Sequence, residues 1–74
     1  MRILVLGGGA REHAICWKLK QSTSVTKIFC APGNAGIGLV ADLVELIPTD
    51  VKAVVSFTLR ERIDLVEKFE HLTF

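Results

Sequence analysis

Hydrophobic positions in this 74-residue chain fall into blocks with two different spacings. Residues 2–6 (RILVL) are a continuous aliphatic run that ends at three glycines, which predicts a buried parallel strand. From Arg11 to about Gln21, apolar residues recur at helical spacing. Residues 25–30 (VTKIFC) then predict a second strand after a polar loop. Strand, helix and strand in this order indicate a βαβ unit with both strands in one parallel sheet.

The second half of the chain repeats the alternation in a shorter form. Residues 31–38 (APGNAGIG) contain a proline and three glycines and therefore predict a loop. A short third strand is predicted at residues 44–47, and a fourth at residues 63–66. Between them, Thr49 or Asp50 is the expected cap of a second helix that runs from about Asp50 to Glu61. The predicted fold is α/β: a Rossmann-like, three-layer unit with a short and incomplete parallel sheet.

Length and charge exclude several classes of function. A chain of 74 residues forms one small domain at most and buries only about 60% of its unfolded surface, so we expect it to be part of a longer protein. A net charge of +1 with dispersed basic residues predicts no nucleic-acid partner. No apolar run approaches the roughly 18 residues of a membrane span, so no membrane partner is expected and the predicted location is cytoplasmic.

Two cysteines and one tryptophan are interpreted as structural. Cys16 and Cys30 belong to no CxxC pair and have no neighbouring histidine pair, so no zinc site is predicted. We expect both cysteines to be free, buried thiols in a reducing compartment. Trp17 is expected in the core.

The glycines at positions 7–9 are the first candidate for chemistry. They separate a predicted strand from a helix N-terminus, where unpaired backbone N–H groups and the helix dipole favour a phosphate. Arg11 in the first turn opposes that dipole, which hints at a bound anion. The alternative is a tight strand-to-helix turn without a ligand. Glu12 stands where the dinucleotide pattern GxGxxG requires its third glycine, so NAD and FAD are disfavoured, and no P-loop pattern is present.

The second loop is expected to face the same crevice, because it follows the neighbouring parallel strand. Asn34 has an amide that can donate and accept, which suits sugar hydroxyls or phosphate oxygens, although asparagine is also a common turn residue. His13 lies near enough to the glycines to reach a ligand, but a histidine on a helix face is more often a packing or solvent residue.

Residues 7–18 (GGGAREHAICWK) and 31–36 (APGNAG) together resemble the phosphoribosylamine–glycine ligases, also called glycinamide ribonucleotide synthetases. A looser similarity extends over most of the chain. The resemblance implies an ATP-dependent ligase that joins 5-phosphoribosylamine and glycine in de novo purine biosynthesis. It implies that residues 1–74 are a single N-terminal, substrate-side domain of the pre-ATP-grasp type, without the ATP-grasp domains and inactive alone.

The same resemblance places seven residues at the phosphoribosyl substrate and none in catalysis or metal binding. These residues are Gly8, Gly9, Arg11, Glu12, Pro32, Gly33 and Asn34. ATP and magnesium would bind to other domains of the full-length enzyme, and no cofactor is expected on this chain. Family members continue after residues 63–66 with V-V-G-P-E, whereas this chain continues with EKFE, so a third substrate-side loop is expected to be lost or replaced.

Two other interpretations remain open from the sequence. The first is a non-catalytic α/β assembly module that forms a homo-oligomer through an open sheet edge. The second is a nucleotide-binding regulatory fragment, which the missing acidic residue at the end of the second strand disfavours.

Overall fold

The computed structural model describes residues 1–68 and arranges them as one parallel sheet between helical layers. The sheet order is β3-β2-β1-β4, with strands β1 (Arg2–Gly7), β2 (Lys27–Pro32), β3 (Asp42–Leu43) and β4 (Leu65–Lys68). The helices are α1 (Ala10–Lys20) and α2 (Val51–Arg60), and a short 3-10 helix spans Ile37–Leu39. The predicted α/β, Rossmann-like architecture is confirmed.

Strand β1 is the centre of the core because helices cover both of its faces. Ile3 and Val5 point to the side of α1, where they pack with Cys16. Leu4 and Leu6 point to the side of α2, where they pack with Phe57. Side chains of a strand alternate between faces, so a strand covered on both sides is apolar throughout, as residues 2–6 are.

Helix α1 packs against the sheet with the side that carries Cys16 rather than the side that carries Trp17. Cys16 is fully buried against the sheet, with Ile15 and Leu19 packed beside it. Trp17 is 56% exposed, so its predicted place in the core is wrong. Apolar residues lie on more than one side of this helix, and only one stripe of them can face the sheet.

Helix α2 begins as predicted and is anchored by an aromatic contact. Asp50 is its cap, since a carboxylate oxygen of Asp50 accepts a hydrogen bond from the Ala53 N–H at 3.2 Å. Phe57 is 5% exposed and meets the ring of Phe29 edge-on, with the ring centroids 5.2 Å apart. The capped first turn and this buried ring pair fix α2 on its face of the sheet.

Strand β3 ends before the predicted strand at residues 44–47 begins, so that prediction is wrong in position. The Val44 N–H still donates to the Cys30 carbonyl at 2.9 Å, after which the chain leaves β2. Val44 and Leu46 then pack against the cluster on the α2 side. Their alternation resembles that of a strand, but it arises from a crossover segment that buries every second side chain.

Strand β4 begins two residues later than the predicted range 63–66, because the preceding turn is tied to β1. Arg2 and Asp64 exchange hydrogen bonds: the Asp64 N–H donates to the Arg2 carbonyl and the Arg2 N–H donates to an Asp64 carboxylate oxygen, each at 2.7 Å. The Arg2 guanidinium also donates to the Glu61 carbonyl at 2.7 Å. Ile63 packs into the cluster on the α2 side before the strand starts.

Both cysteines are free and fully buried, as the sequence predicted. Within residues 1–68, no helix combines the length and the hydropathy that a bilayer crossing requires.

Candidate functional site

The two glycine-containing loops meet at the carboxyl edge of the sheet. Gly7 at the end of β1 is in register with Pro32 at the end of β2, and the next N–H, that of Gly33, donates to the Gly7 carbonyl at 3.0 Å. The Ala31–Pro32 peptide bond is cis. Adjacent parallel strands end at the same edge, which is where open α/β sheets bind ligands. The two loops therefore lie at the same edge of the sheet, as expected, whereas a crevice between them stays a prediction.

Asn34 ties the second loop to the first. Its side-chain Nδ2 donates to the Gly8 carbonyl at 2.7 Å, and its Oδ1 accepts from the Ile37 N–H at 2.9 Å. The amide thus bridges the loops and starts the 3-10 helix. A primary amide has two N–H donors, so Asn34 retains one more for a ligand while it keeps this bridge.

Two glycines allow the loops to approach so closely. A Cβ at Gly8 would lie 2.8 Å from the Gly33 carbonyl oxygen. Gly33 has φ +69°, and a Cβ there would overlap the side chain of Leu43. Gly9 is different, because the nearest atoms to its added Cβ are the Glu12 carboxylate oxygens at 3.8 and 3.9 Å. The contact therefore requires Gly8 and Gly33, whereas Gly9 has room for a side chain.

Glu12 folds its carboxylate back over the glycine loop. Its Oε1 accepts a hydrogen bond from the Gly9 N–H at 3.4 Å, which is the glutamate half of a capping box at the start of α1, since glycine has no side chain to supply the other half. A Cβ on Gly7, whose φ is +134°, would overlap this carboxylate. The positive end of the helix thus already holds an internal anion, so a phosphate bound there would have to displace Glu12 or lie beside it.

His13 lies between α1 and the second loop. Its imidazole is half-buried against Gly36: a Cβ on Gly36 would lie 3.0 Å from the ring atom Cε1 and 3.3 Å from Nδ1. The ring also lines a shallow groove along α1, together with Ala10, Ala14 and Trp17. The sequence pointed to His13 because of its distance from the glycines, but nothing in the spacing revealed its contact with the second loop.

The thiol of Cys30 supports the glycine loop from within the core. Its Sγ donates to the Gly7 carbonyl at 3.3 Å, and the Cys16 side chain is hydrogen-bonded to it. Burial raises the pKa of Cys30 to about 12 and also raises the pKa of Cys16. Both groups therefore remain neutral thiols near neutral pH, and Cys30 acts as a hydrogen-bond donor under the loop. The sequence predicted the burial of these thiols but not this contact.

The seven candidate site residues all lie at this end of the sheet. Asn34, Gly8 and Gly33 are joined by the contacts described above, and Glu12 is joined to Gly9. Arg11, in the first turn of α1, and Pro32, at the end of β2, are both exposed. The segment that follows β4, where a third loop is expected to be lost or replaced, lies outside the described residues.

Comparison with known proteins identifies the family. The protein-family model for the N domain of phosphoribosylglycinamide synthetase matches residues 1–67. The chain belongs to this family. The phosphoribosylamine–glycine ligase of Caldanaerobacter subterraneus is 51% identical over 65 residues, which are 88% of this chain and 16% of that protein. The ligase of Mesorhizobium japonicum is 52% identical over 66 residues, 89% of this chain and 16% of its own length.

The ligase of Escherichia coli (strain K12) is 48% identical over 67 residues, which cover 88% of this chain and 16% of the enzyme. The chain thus spans about a sixth of the length of the curated relatives that it matches. These matches confirm the resemblance inferred from the two loop motifs. They identify residues 1–67 as an N domain of the synthetase family, and that domain is what the sheet and its two loops form.

Proposed function

We propose that this chain is the N-terminal, substrate-side domain of a phosphoribosylamine–glycine ligase of de novo purine biosynthesis. The observation that carries the proposal is the locked pair of loops, in which Asn34 bridges to Gly8 at the carboxyl edge of the sheet. Relatives about half identical to the chain have the name of that enzyme, which supports the assignment. The full-length protein would join 5-phosphoribosylamine to glycine at the expense of ATP.

The role of this domain is to bind the phosphoribosyl group of 5-phosphoribosylamine. Gly9 leaves room for a ligand to approach the backbone, and Gly8 holds the two loops together beside it. The second N–H of Asn34 and the guanidinium of Arg11 are donors for phosphate oxygens. A carboxylate only accepts hydrogen bonds, so Glu12 suits the ribose hydroxyls or the amine rather than the phosphate. Pro32 and Gly33 complete the second wall of this site.

ATP and magnesium are assigned to the remainder of the full-length polypeptide. Within residues 1–68, no group of three or more His, Cys, Asp or Glu side chains is arranged to hold a metal ion. No P-loop lysine follows the glycines, so the loop lacks the cation that such a nucleotide site uses at the phosphates. These residues do not fit a magnesium–ATP site, so the chain alone is proposed to bind substrate without catalysing the reaction.

Binding by the chain is tested by NMR. We expect titration with glycinamide ribonucleotide, and separately with ribose 5-phosphate, to shift the backbone amides of residues 7–12 and 33–36. A Leu59→Ala variant, altered on the exposed side of α2, should give the same shifts. Saturating ligand without shifts at either loop would contradict binding by the chain. Shifts produced only by ATP or NAD would favour the nucleotide-binding interpretation instead.

A chimera tests whether this chain can serve as the N-terminal part of an active ligase. Residues 1–67 of this chain would replace the matching N-terminal segment of the Escherichia coli ligase, in a strain that lacks its own enzyme and requires purines. Growth without purines is the expected result, because residues 1–67 match the N-domain family and align with the Escherichia coli enzyme at 48% identity over 67 residues. A chimera that folds and is expressed but has no ligase activity would contradict the proposal.

A second candidate function is self-association through β4. Two apolar side chains of this edge strand are partly exposed, Leu65 at 42% and Val66 at 39%. An open strand edge with exposed apolar residues can pair with the same edge of another copy. Sedimentation should then show a concentration-dependent dimer that a Val66→Lys substitution abolishes. A monomer at all accessible concentrations would exclude this candidate.

A further inference from the structure

Gly36 is a glycine whose backbone conformation does not require one. Its φ of −64° and ψ of −41° are helical values that any L-residue adopts. What a side chain there would lack is space, because an added Cβ would lie 3.0 Å from Cε1 of His13 and 3.3 Å from Oδ1 of Asn34, so one of these side chains would have to shift by a few tenths of an ångström. The absence of a side chain at this position lets the imidazole pack directly on the second loop.

This contact closes a ring of interactions around the candidate site. His13 belongs to the helix that starts at the glycine loop, and its N–H donates to the Gly9 carbonyl at 3.1 Å. Its ring meets Gly36, which lies beside the Asn34 amide. That amide returns to the first loop through its 2.7 Å hydrogen bond to the Gly8 carbonyl. A displacement of the second loop would therefore act on Asn34 and Gly8 together.

We propose that His13 is a positioning residue for the phosphoribosyl substrate. Its imidazole packs on the second loop at Gly36, beside the Asn34 amide that is hydrogen-bonded to Gly8. This packing keeps the distance between the two loops constant. The proposal rests on the proposed function, because it assigns His13 to the same phosphoribosyl site. His13 itself touches the loop rather than the substrate, and its planar, rigid ring is the property that matters.

The kinetic test uses the active chimera described above. We expect His13→Ala to raise the KM for 5-phosphoribosylamine roughly tenfold while kcat and the KM for glycine change less than about twofold, because only one binding wall is displaced. His13→Phe, which keeps a planar ring, should restore most of the affinity. Trp17→Ala is the matched control. Trp17 lines the same groove as His13, but the side-chain atoms nearest to Gly36 belong to His13 and Asn34.

The remaining outcomes overturn the proposal. An unchanged KM in His13→Ala would show that this packing has no effect on binding. A His13→Phe variant as impaired as His13→Ala would show that a ring nitrogen, rather than packing, is what the site needs. Equal effects of Trp17→Ala and His13→Ala would reduce the result to a general disturbance of the helix.

A double-mutant cycle tests the contact itself. Gly36→Ala alone should impair binding, because its methyl group would lie 3.0 Å from Cε1 of the imidazole and push the ring away from the loop. In the double variant His13→Ala/Gly36→Ala, the methyl group enters the space that the ring leaves. The affinity of the double variant for the ligand should therefore be at least that of the single variant with the lower affinity. Effects that multiply independently would contradict a direct coupling of these two residues.

A readout without enzyme activity separates this proposal from the proposed function. In the isolated chain, His13→Ala should accelerate hydrogen exchange of the Asn34 side-chain amide and shift the Gly9 amide, with or without ligand. An unchanged rate of hydrogen exchange at the Asn34 side-chain amide in a folded His13→Ala variant would contradict the positioning role of His13. If the positioning role is observed but neither the chain nor the chimera binds the phosphoribosyl ligand, the proposed function fails instead.

Discussion

Replacing Gly8 with alanine should separate the two loops. The new Cβ would lie 2.8 Å from the Gly33 carbonyl oxygen, which is a backbone atom rather than the end of a flexible side chain. Gly33 cannot retreat freely, because its N–H is bonded to the Gly7 carbonyl at 3.0 Å. Relief of the overlap must therefore stretch or break the 2.7 Å hydrogen bond from Asn34 to Gly8.

The expected loss of stability is about 2–4 kcal/mol. Overpacking of a well-packed site costs about 1–3 kcal/mol, and the loss of a hydrogen bond adds about 1 kcal/mol. Each kcal/mol shifts the Tm of a domain of this size by roughly 4–8 °C, so Gly8→Ala should unfold at least about 8 °C below the parent chain.

Gly9→Ala provides the control, one residue along the same loop. Its Cβ would find no atom closer than the Glu12 carboxylate oxygen at 3.8 Å, and its backbone is extended with φ −95°. Its stability should stay within about 0.5 kcal/mol of the parent. Thermal and urea unfolding followed by circular dichroism would compare the variants. Equal losses for both alanines would refute the inferred contact between the loops.

Three further predictions concern the core and the helix cap. Phe57→Ala should cost about 3–5 kcal/mol and abolish cooperative unfolding, while Leu59→Ala, at a position 75% exposed, should have little effect. Asp50→Ala should cost about 1 kcal/mol in urea unfolding because an N–H of α2 loses its cap, whereas Thr49→Ala should not. Because burial raises the pKa of Cys30 from 9.0 to about 12, the unfolded chain loses this proton first as the pH rises. Unfolding free energy should therefore fall above pH 9, with Cys30 contributing about 1 kcal/mol at pH 10. Because the pKa of Cys16 is also raised, Cys30→Ala should reduce this loss rather than remove it, measured by urea titration at pH 8 and pH 10.

The central βαβ unit could be predicted because local pattern and tertiary environment agree there. The aliphatic run at residues 2–6 needs cover on both faces, and the two helices provide it. The strand boundaries that were predicted wrongly are those where a side chain is buried but its backbone is not paired in the sheet. Val44 and Leu46 are half-buried without being paired in a strand, and Ile63 packs before its strand begins.

Contacts between the loops could not be predicted from spacing. The motifs placed Asn34 and Gly8 at the same edge, but the hydrogen bond between them depends on the close approach of two backbones. The position of Trp17 failed for a related reason, since periodicity shows that a helix has an apolar side without showing which of two such sides meets the sheet. Glu12 was expected in the first turn, whereas its fold back onto Gly9 depends on a side-chain rotamer.

The placement of β1 also has a consequence for synthesis on the ribosome. β1 is made first, and it pairs with β2 on one side and with β4, which ends the described residues, on the other. At roughly 5–20 residues per second, several seconds pass before the β4 sequence exists. During that interval one edge of the most apolar strand has no partner and can bind other nascent chains or chaperones. The hydrogen bonds from Arg2 to Glu61 and Asp64 join the start of β1 to the segment that leads into β4, so they form only after that segment has been synthesised.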